Sequence, residues 1–233
     1  MSVNKHDNDQ WNEQITDQSP SSQSEHADMP DRSAVHGSKV KSKKAGNEYL
    51  EWTKALVIAI VLVFIIRQFL FSPFIVDGAS MQPNFETGER LIVNKLIYNI
   101  GKPKYGDVIV FNVPEQGRKF IKRVIGVPGD TISLKGDDLY INDKLIDEPY
   151  IREVVAAKHA QGMLYNGSGN QYNYPNSKNS ETVVPEGTVF AMGDNRGDST
   201  DSRYLGFINE KEIIGRAEVI FWPLNQIKFI NHY

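Results

Sequence analysis

Hydrophobic and polar positions divide the chain into three regimes. Over residues 1–46 the apolar positions Val3, Trp11, Ile15, Met29, Val35 and Val40 follow neither a helical nor a strand period. Ser, Asp, Asn, Gln and Lys fill the rest, so this stretch has too little apolar surface to offset the entropy of ordering and reads as a disordered tail. The pattern then inverts. In "EWTKALVIAIVLVFIIRQFLFSPF" no polar residue interrupts Ala55 to Ile66, and apolar character resumes at Phe69 to Phe71 after Arg67 and Gln68. A helix from Trp52 to Phe74 would extend about 33 Å, enough to cross a bilayer with Arg67 snorkelling to one interface. Residues 47–73 are therefore expected to form a membrane anchor, with a single transmembrane helix over about 52–73. A buried core helix fits less well, because the surface is apolar all round and no other long helix is there to surround it. A cleaved leader would need an n-region of some fifty residues, and no small-x-small site follows.

From Phe74 onward, short apolar runs alternate with turn residues. Strands are expected at 74–76, 89–96, 107–113, 119–127, 131–135, 138–143, 188–192 and 216–222, with a hairpin turn at "INDK", 141–144. "NEKEII", 209–214, reads as a short helix with Asn209 as N-cap and Glu212 reaching back. Residues 151–182 read as a long surface excursion. Many strands without a βα alternation point to a mostly β, antiparallel fold for an extracytoplasmic domain over 74–233.

Charge orients this arrangement. Lys39, Lys41, Lys43, Lys44 and Lys54 precede the apolar span, while Asp77, Glu86 and Glu89 dominate the stretch after it. The positive-inside rule then puts the tail in the cytoplasm and the β domain outside a single-pass span in the cell membrane. The 233 residues and net charge of −3 suit one medium domain plus extra segments, and imply neither nucleic acid nor an acidic polymer as partner. With no cysteine, disulfides, thiolate metal sites and a cysteine nucleophile are excluded. Of the five histidines, His6, His26 and His36 lie in the tail, His159 in the excursion and His232 beside the last residue, so a Ser-His-Asp arrangement has little to draw on.

A lysine changes the picture. In "FIKRVIGVPGD", 120–130, Phe120, Lys122 and Val124 share one strand face, while Ile121, Arg123 and Ile125 share the other. Two readings fit: Lys122 snorkels to solvent from an edge strand, or it is buried with a depressed pKa and serves as a base. Just after the apolar span, "VDGASMQPNF" places Ser80 among small residues in a tight turn, an ordinary loop serine or an exposed nucleophile. A neutral lysine in an apolar pocket can activate a serine in place of histidine, which links the two. "MGDNRGDSTDSRYLGF", 192–207, crowds Asp194, Arg196, Asp198, Ser199, Asp201, Ser202 and Arg203 into ten residues, where Asp201 with Arg203 and Asp194 with Arg196 are expected to fix the loop. As a calcium loop starting at Asp194 it lacks the glycine at position 6 and the final glutamate.

These segments, with "GDVIVFNVP" and "DEPYI", occur in an order around an anchor that resembles the bacterial type I signal peptidases, in their Gram-positive form. The resemblance implies a catalytic domain of coiled antiparallel β-sheets with Ser80 as nucleophile, Lys122 as general base and Ser199 as a hydroxyl orienting the lysine amine. It further implies an oxyanion hole built on backbone N–H groups of Ser80 and Gly78, a structural network of Asp194, Arg123, Asp201 and Arg203, and no metal or other cofactor. The implied partners are secretory preproteins with small residues before the cleavage site, and the lipid bilayer. Some members carry a serine two residues before the nucleophile; Gly78 stands there in this chain. A self-cleaving Ser-Lys repressor lacks support, since no DNA-binding helix pair is visible. A non-catalytic anchored domain would be favoured had Ser80 or Lys122 been replaced.

Overall fold

The computed structural model describes residues 46–233, so the tail expected over 1–46 lies, but for Gly46, outside the described residues. Helix α1 (Gly46–Ile65) opens the described chain, followed by a π-type turn over Ile66–Leu70 and strand β1 (Phe71–Ile75). The helix thus ends before residue 73, where it was expected to end. Pro73 cannot donate a helical hydrogen bond, and Phe71–Ile75 instead pair antiparallel with β2 (Arg90–Asn94). Among the described residues no helix is long and apolar enough to cross a membrane. The apolar side chains of α1 are nonetheless exposed, Leu56 at 61% and Phe64 at 66%.

The remaining elements, in chain order, are α2 (Ile97–Ile100), β3 (Val108–Val113), β4 (Arg118–Gly126), β5 (Ile132–Lys135), β6 (Asp138–Ile141), β7 (Lys144–Leu145) and α3 (Arg152–His159). They continue through β8 (Thr188–Met192), α4 (Ser202–Leu205), β9 (Ile208–Asn209), β10 (Ile213–Trp222) and β11 (Lys228–Phe229). Eight strands form one antiparallel sheet in the order β1-β2-β10-β3-β4-β8-β9, with β11 against β10; β5, β6 and β7 form a second, three-stranded sheet. The run "VIVFNV" of β3 is apolar at nearly every position because both of its faces are covered. Val108 and Val110 pack with Met81, Phe85, Leu91 and Ile220 on one side, and Ile109, Phe111 and Val113 with Val124 and Val189 on the other.

One local expectation is corrected. Residues 209–214 are not a helix: Asn209 does cap, its Oδ1 accepting from Lys211 N at 2.9 Å, but only a 3₁₀ turn over Glu210–Glu212 follows. Ile213 is drawn instead into β10 opposite Phe111, where its side chain finds cover. Residues 151–182 run largely over the surface, as expected, but are tied to the core rather than free of it. Tyr174 is 1% exposed and exchanges both backbone hydrogen bonds with Leu134 of β5, and α3 begins at Arg152. The hairpin at 141–144 is as expected, Asn142 and Asp143 holding φ of 53° and 61°.

Strand β10 is what coils the large sheet. Its first half pairs with β3 and its second with β2, and register shifts at Ile213/Gly215, Ala217/Val219 and Ile220/Trp222 bend it between them. The crossing depends on Gly215, because a Cβ there would run into the Asn94 backbone, its carbonyl oxygen first. Gly215→Ala should therefore destabilise the domain by about 2–3 kcal/mol, lowering Tm by roughly 5–10 °C in thermal unfolding.

Candidate active site

Ser80 sits in the loop between β1 and β2, and neighbouring side chains hold that loop to the core. Val76, Met81 and Phe85 are buried at 1%, 0% and 2% exposure, while Asp77 and Gly78 between them stay exposed. The turn closes on itself through Gln82 N donating to Ala79 O at 3.0 Å and Phe85 N to Met81 O at 3.1 Å. Gly78 adopts φ +96°, a left-handed conformation that a side chain would strain.

Lys122 reaches this loop from β4. Strand β8 pairs only with Arg123, Val124 and Gly126, so residues 118–122 have β3 on one side and no described strand on the other. Lys122 does not snorkel out through that gap: it is 3% exposed, and its Nζ donates to Ser80 Oγ at 2.7 Å and to Ile121 O at 2.9 Å. Its ammonium lies 5.1 Å from the Phe120 ring centroid. Burial pulls the amine down from 10.5, Asp201 and Asp194 pull it back up, and the Arg203 guanidinium presses it down again, leaving it at about 8.

The acidic loop after β8 forms the wall behind the serine. Asp201 accepts from Gly193 N at 3.1 Å and grips Arg203 with both oxygens, at 2.9 and 2.8 Å. Burial opposes its ionisation, but Arg203 and the Gly193 N–H outweigh burial and hold the carboxyl below its usual range. Asp194 does not pair with Arg196, as the spacing along the loop suggested. It takes Arg123 of β4 in a two-pronged grip at 2.8 and 2.7 Å and also accepts from Asn84 Nδ2 at 2.8 Å. Arg196 turns the other way, to the buried Glu148, whose two oxygens take both of its terminal nitrogens. Arg203 closes the set by donating to Arg196 O at 2.7 Å.

Ser80, Lys122 and Ser199 line one cleft of about 730 Å³, with Phe74 and Ile75 along one side and Phe120 and Ile121 along the other. Ser199 Oγ is buried there and has no hydrogen-bond partner; the bond to Lys122 Nζ that the sequence suggests is not formed. Gly193 lets these parts meet, since a Cβ on it would run into Ser199 Oγ and the Ser80 carbonyl oxygen. Glu148, Tyr150, Tyr165 and Asn195 escaped the sequence reading. Tyr165, from the segment taken for an excursion, donates through its OH to Asp194 O at 2.8 Å, and no local pattern announces such a contact. Glu148 did leave a signal, a carboxylate inside "DEPYI".

A serine hydroxyl hydrogen-bonded to a buried lysine of lowered pKa is an arrangement in which an amine can activate a hydroxyl. The family model for signal peptidase, peptidase S26, matches residues 49–222, and the chain belongs to that family; it is a serine endopeptidase. It is 41% identical to the signal peptidase I of Bacillus licheniformis over 81% of this chain and 96% of that protein. It is 42% identical to signal peptidase I T of Bacillus subtilis, over 80% and 92%. It is 39% identical to signal peptidase IB of Staphylococcus aureus, over 78% and 94%. Among solved structures, a signal peptidase I from Enterococcus faecalis is 34% identical, covering 50% of this chain and 97% of that one at a TM-score of 0.44.

The lysine has a thermodynamic signature. Its folded pKa of about 8 against 10.5 means that the folded state binds fewer protons across that interval, so stability rises with pH from 8 toward 10.5. Below pH 8 the full penalty stands, about 3 kcal/mol. Lys122→Met, which fills the same space without the charge, should be more stable than the parent by about 1–3 kcal/mol at pH 7, with the gain gone by about pH 10.5. Thermal unfolding at the two pH values checks this; a variant less stable at pH 7 contradicts it.

Proposed function

We propose that this chain is a membrane-anchored endopeptidase that removes signal peptides from exported preproteins, with Ser80 as nucleophile and Lys122 as general base. One observation carries the reading: the Lys122 amine, buried and at about 8, stands 2.7 Å from the Ser80 hydroxyl. In the neutral form the amine accepts the Ser80 proton as Oγ attacks the scissile carbonyl carbon. The tetrahedral intermediate then expels the new amino terminus, which takes that proton from the lysine. An acyl-enzyme ester remains on Ser80, and the same amine deprotonates the water that hydrolyses it. The backbone N–H groups of Ser80 and Gly78, which no described carbonyl occupies, face the developing oxyanion. Ser199 holds the amine in line once the lysine is neutral, and its buried, unpartnered hydroxyl supports that role.

The cleft fits an extended peptide. One wall is the edge of β1 and its continuation to Ser80, the other the unpaired edge of β4 over 118–122. A substrate strand between them would satisfy backbone groups on both sides, and the preproteins are those with small residues before the cut. Lipid is the medium that covers the exposed apolar side chains from Ala55 to Ile66, which keeps the cleft near the surface from which a preprotein's own apolar segment emerges.

Incubation of the detergent-solubilised protein with a preprotein carrying an A-x-A site, followed by amino-terminal sequencing of the product, tests the reading. Cleavage should occur after the second alanine and be lost in Ser80→Ala. Because the base works unprotonated, kcat/KM should climb through pH 8 to a plateau above it and lie roughly a hundredfold lower at pH 6. An activity flat between pH 6 and 9 would remove Lys122 from the mechanism.

Orientation has its own test. Protease added to intact protoplasts should digest the domain after Phe74 and spare the residues before α1. The reverse pattern contradicts both the orientation and an exported substrate.

A further inference from the structure

Asn195 does not itself line the cleft, yet it grips the backbone on both sides of the Ser80 Cα. Its side-chain Nδ2 donates to Ala79 O at 3.1 Å, and its main-chain N–H donates to Ser80 O at 3.0 Å. The first of these carbonyls belongs to the same peptide unit as the Ser80 N–H. In a trans peptide the C=O and N–H point in opposite directions, so a donor holding Ala79 O from behind aims the Ser80 N–H forward, toward the cleft. Gln82 N, at 3.0 Å from the same oxygen, holds it from within the turn, and Asn195 supplies the hold from the wall. Two donors on one carbonyl also polarise the amide, which strengthens its N–H as a donor. The second bond fixes the next peptide unit, so that both peptides flanking the Ser80 Cα are held from the wall.

Asn195 is itself held from outside. Its predecessor Asp194 is clamped by Arg123 and its successor Arg196 by Glu148, while its carbonyl accepts from Asp198 N at 3.0 Å. The charge network is thus anchored on both sides of the residue that reaches the Ala79 and Ser80 carbonyls from the wall.

We infer that Asn195 is a positioning residue for the reaction, orienting the Ala79–Ser80 peptide so that the Ser80 N–H stabilises the oxyanion; this rests on the role proposed above for Ser80. The charge that Asn195 helps to stabilise exists only in the transition state, so its loss falls on kcat rather than KM.

Asn195→Ala and Asn195→Leu both remove the side-chain donor without adding charge, and Leu keeps the volume and branching should Ala disturb folding. For each folded variant, kcat should fall roughly 10- to 100-fold with KM within about threefold of the parent, somewhat less than the loss of a whole oxyanion-hole donor. Affinity for a peptide boronate, whose tetrahedral adduct on Ser80 carries an oxyanion-like oxygen, should drop by the same factor as kcat/KM. The pH midpoint near 8 should not move. Unchanged kcat, a defect confined to KM, unaltered boronate affinity or a shifted pH midpoint each overturns the inference, the last because the residue would then act through Lys122. A parent protein that does not cleave the preprotein would instead bring down the proposed function, and this inference with it; a parent that cleaves alongside unaffected variants leaves that function standing and removes Asn195 alone.

Discussion

The Lys122 amine is buried, which disfavours its charge, yet it lies among carboxylates that favour the charged form. Desolvation is the larger effect and wins, leaving the amine at about 8. It wins only because Asp201 and Asp194 are already committed, the first to Arg203 and the second to Arg123, in pairs that are almost fully buried. Were either carboxylate free, its charge would act on the lysine undiluted by a guanidinium. Arg203 also presses the amine down directly. Four buried charges around a fifth are costly in desolvation, and the geometry meets that cost with two-pronged bonds and with carbonyls that accept from Arg203 and Arg123.

The same requirement shapes the sheet. A lysine on a central strand would be walled in, and one on a free edge would be wet. Strand β4 resolves this by pairing with β3 over Arg118–Arg123 and with β8 only from Arg123 to Gly126. Lys122 stands where that cover ends, with its backbone at the rim of the cleft and its amine turned inward to Ser80 and Ile121 O. The shifts in β10 coil the sheet so that β1, four places away in strand order, brings Phe74 and Ile75 to the opposite wall. Two open edges border the cleft that holds Ser80. An exposed edge is ordinarily a hazard for aggregation, and here it borders a cleft suited to an extended peptide.

Rigidity behind the serine completes the arrangement. Gly193 permits a backbone approach that no other residue would, and Asn195 converts the approach into two hydrogen bonds. Tyr165 adds a bond to Asp194 O from the far side of the chain. Burial pushes its phenol up to about 12, which keeps it a donor throughout the range in which the lysine titrates.

Much of this was legible in the sequence. Short apolar runs bounded by turn residues located β2, β3, β4, β5, β6, β8 and most of β10 to within a few residues, because both signals are local to the segment. The hairpin at 141–144 was readable for an equally local reason: Asn and Asp tolerate positive φ. Lys122 stood out because a charge in an apolar run is anomalous on its own strand, and Ser80 because small neighbours expose it. What the sequence could not determine depended on partners distant along the chain. Phe71–Ile75 reads as a continuation of an apolar helix until β2 offers it hydrogen bonds, and Ile213 as helical until Phe111 covers it. The pairings of Asp194 with Arg123 and of Arg196 with Glu148 span 71 and 48 residues, so local spacing pointed to the wrong partner. Sequence by itself determined which residues bear chemistry and which segments extend, since both follow from a residue and its near neighbours. Only the tertiary structure decided that Lys122 meets Ser80 and that its pKa falls, because burial and long-range contact are properties of the packed sheet and of no segment within it.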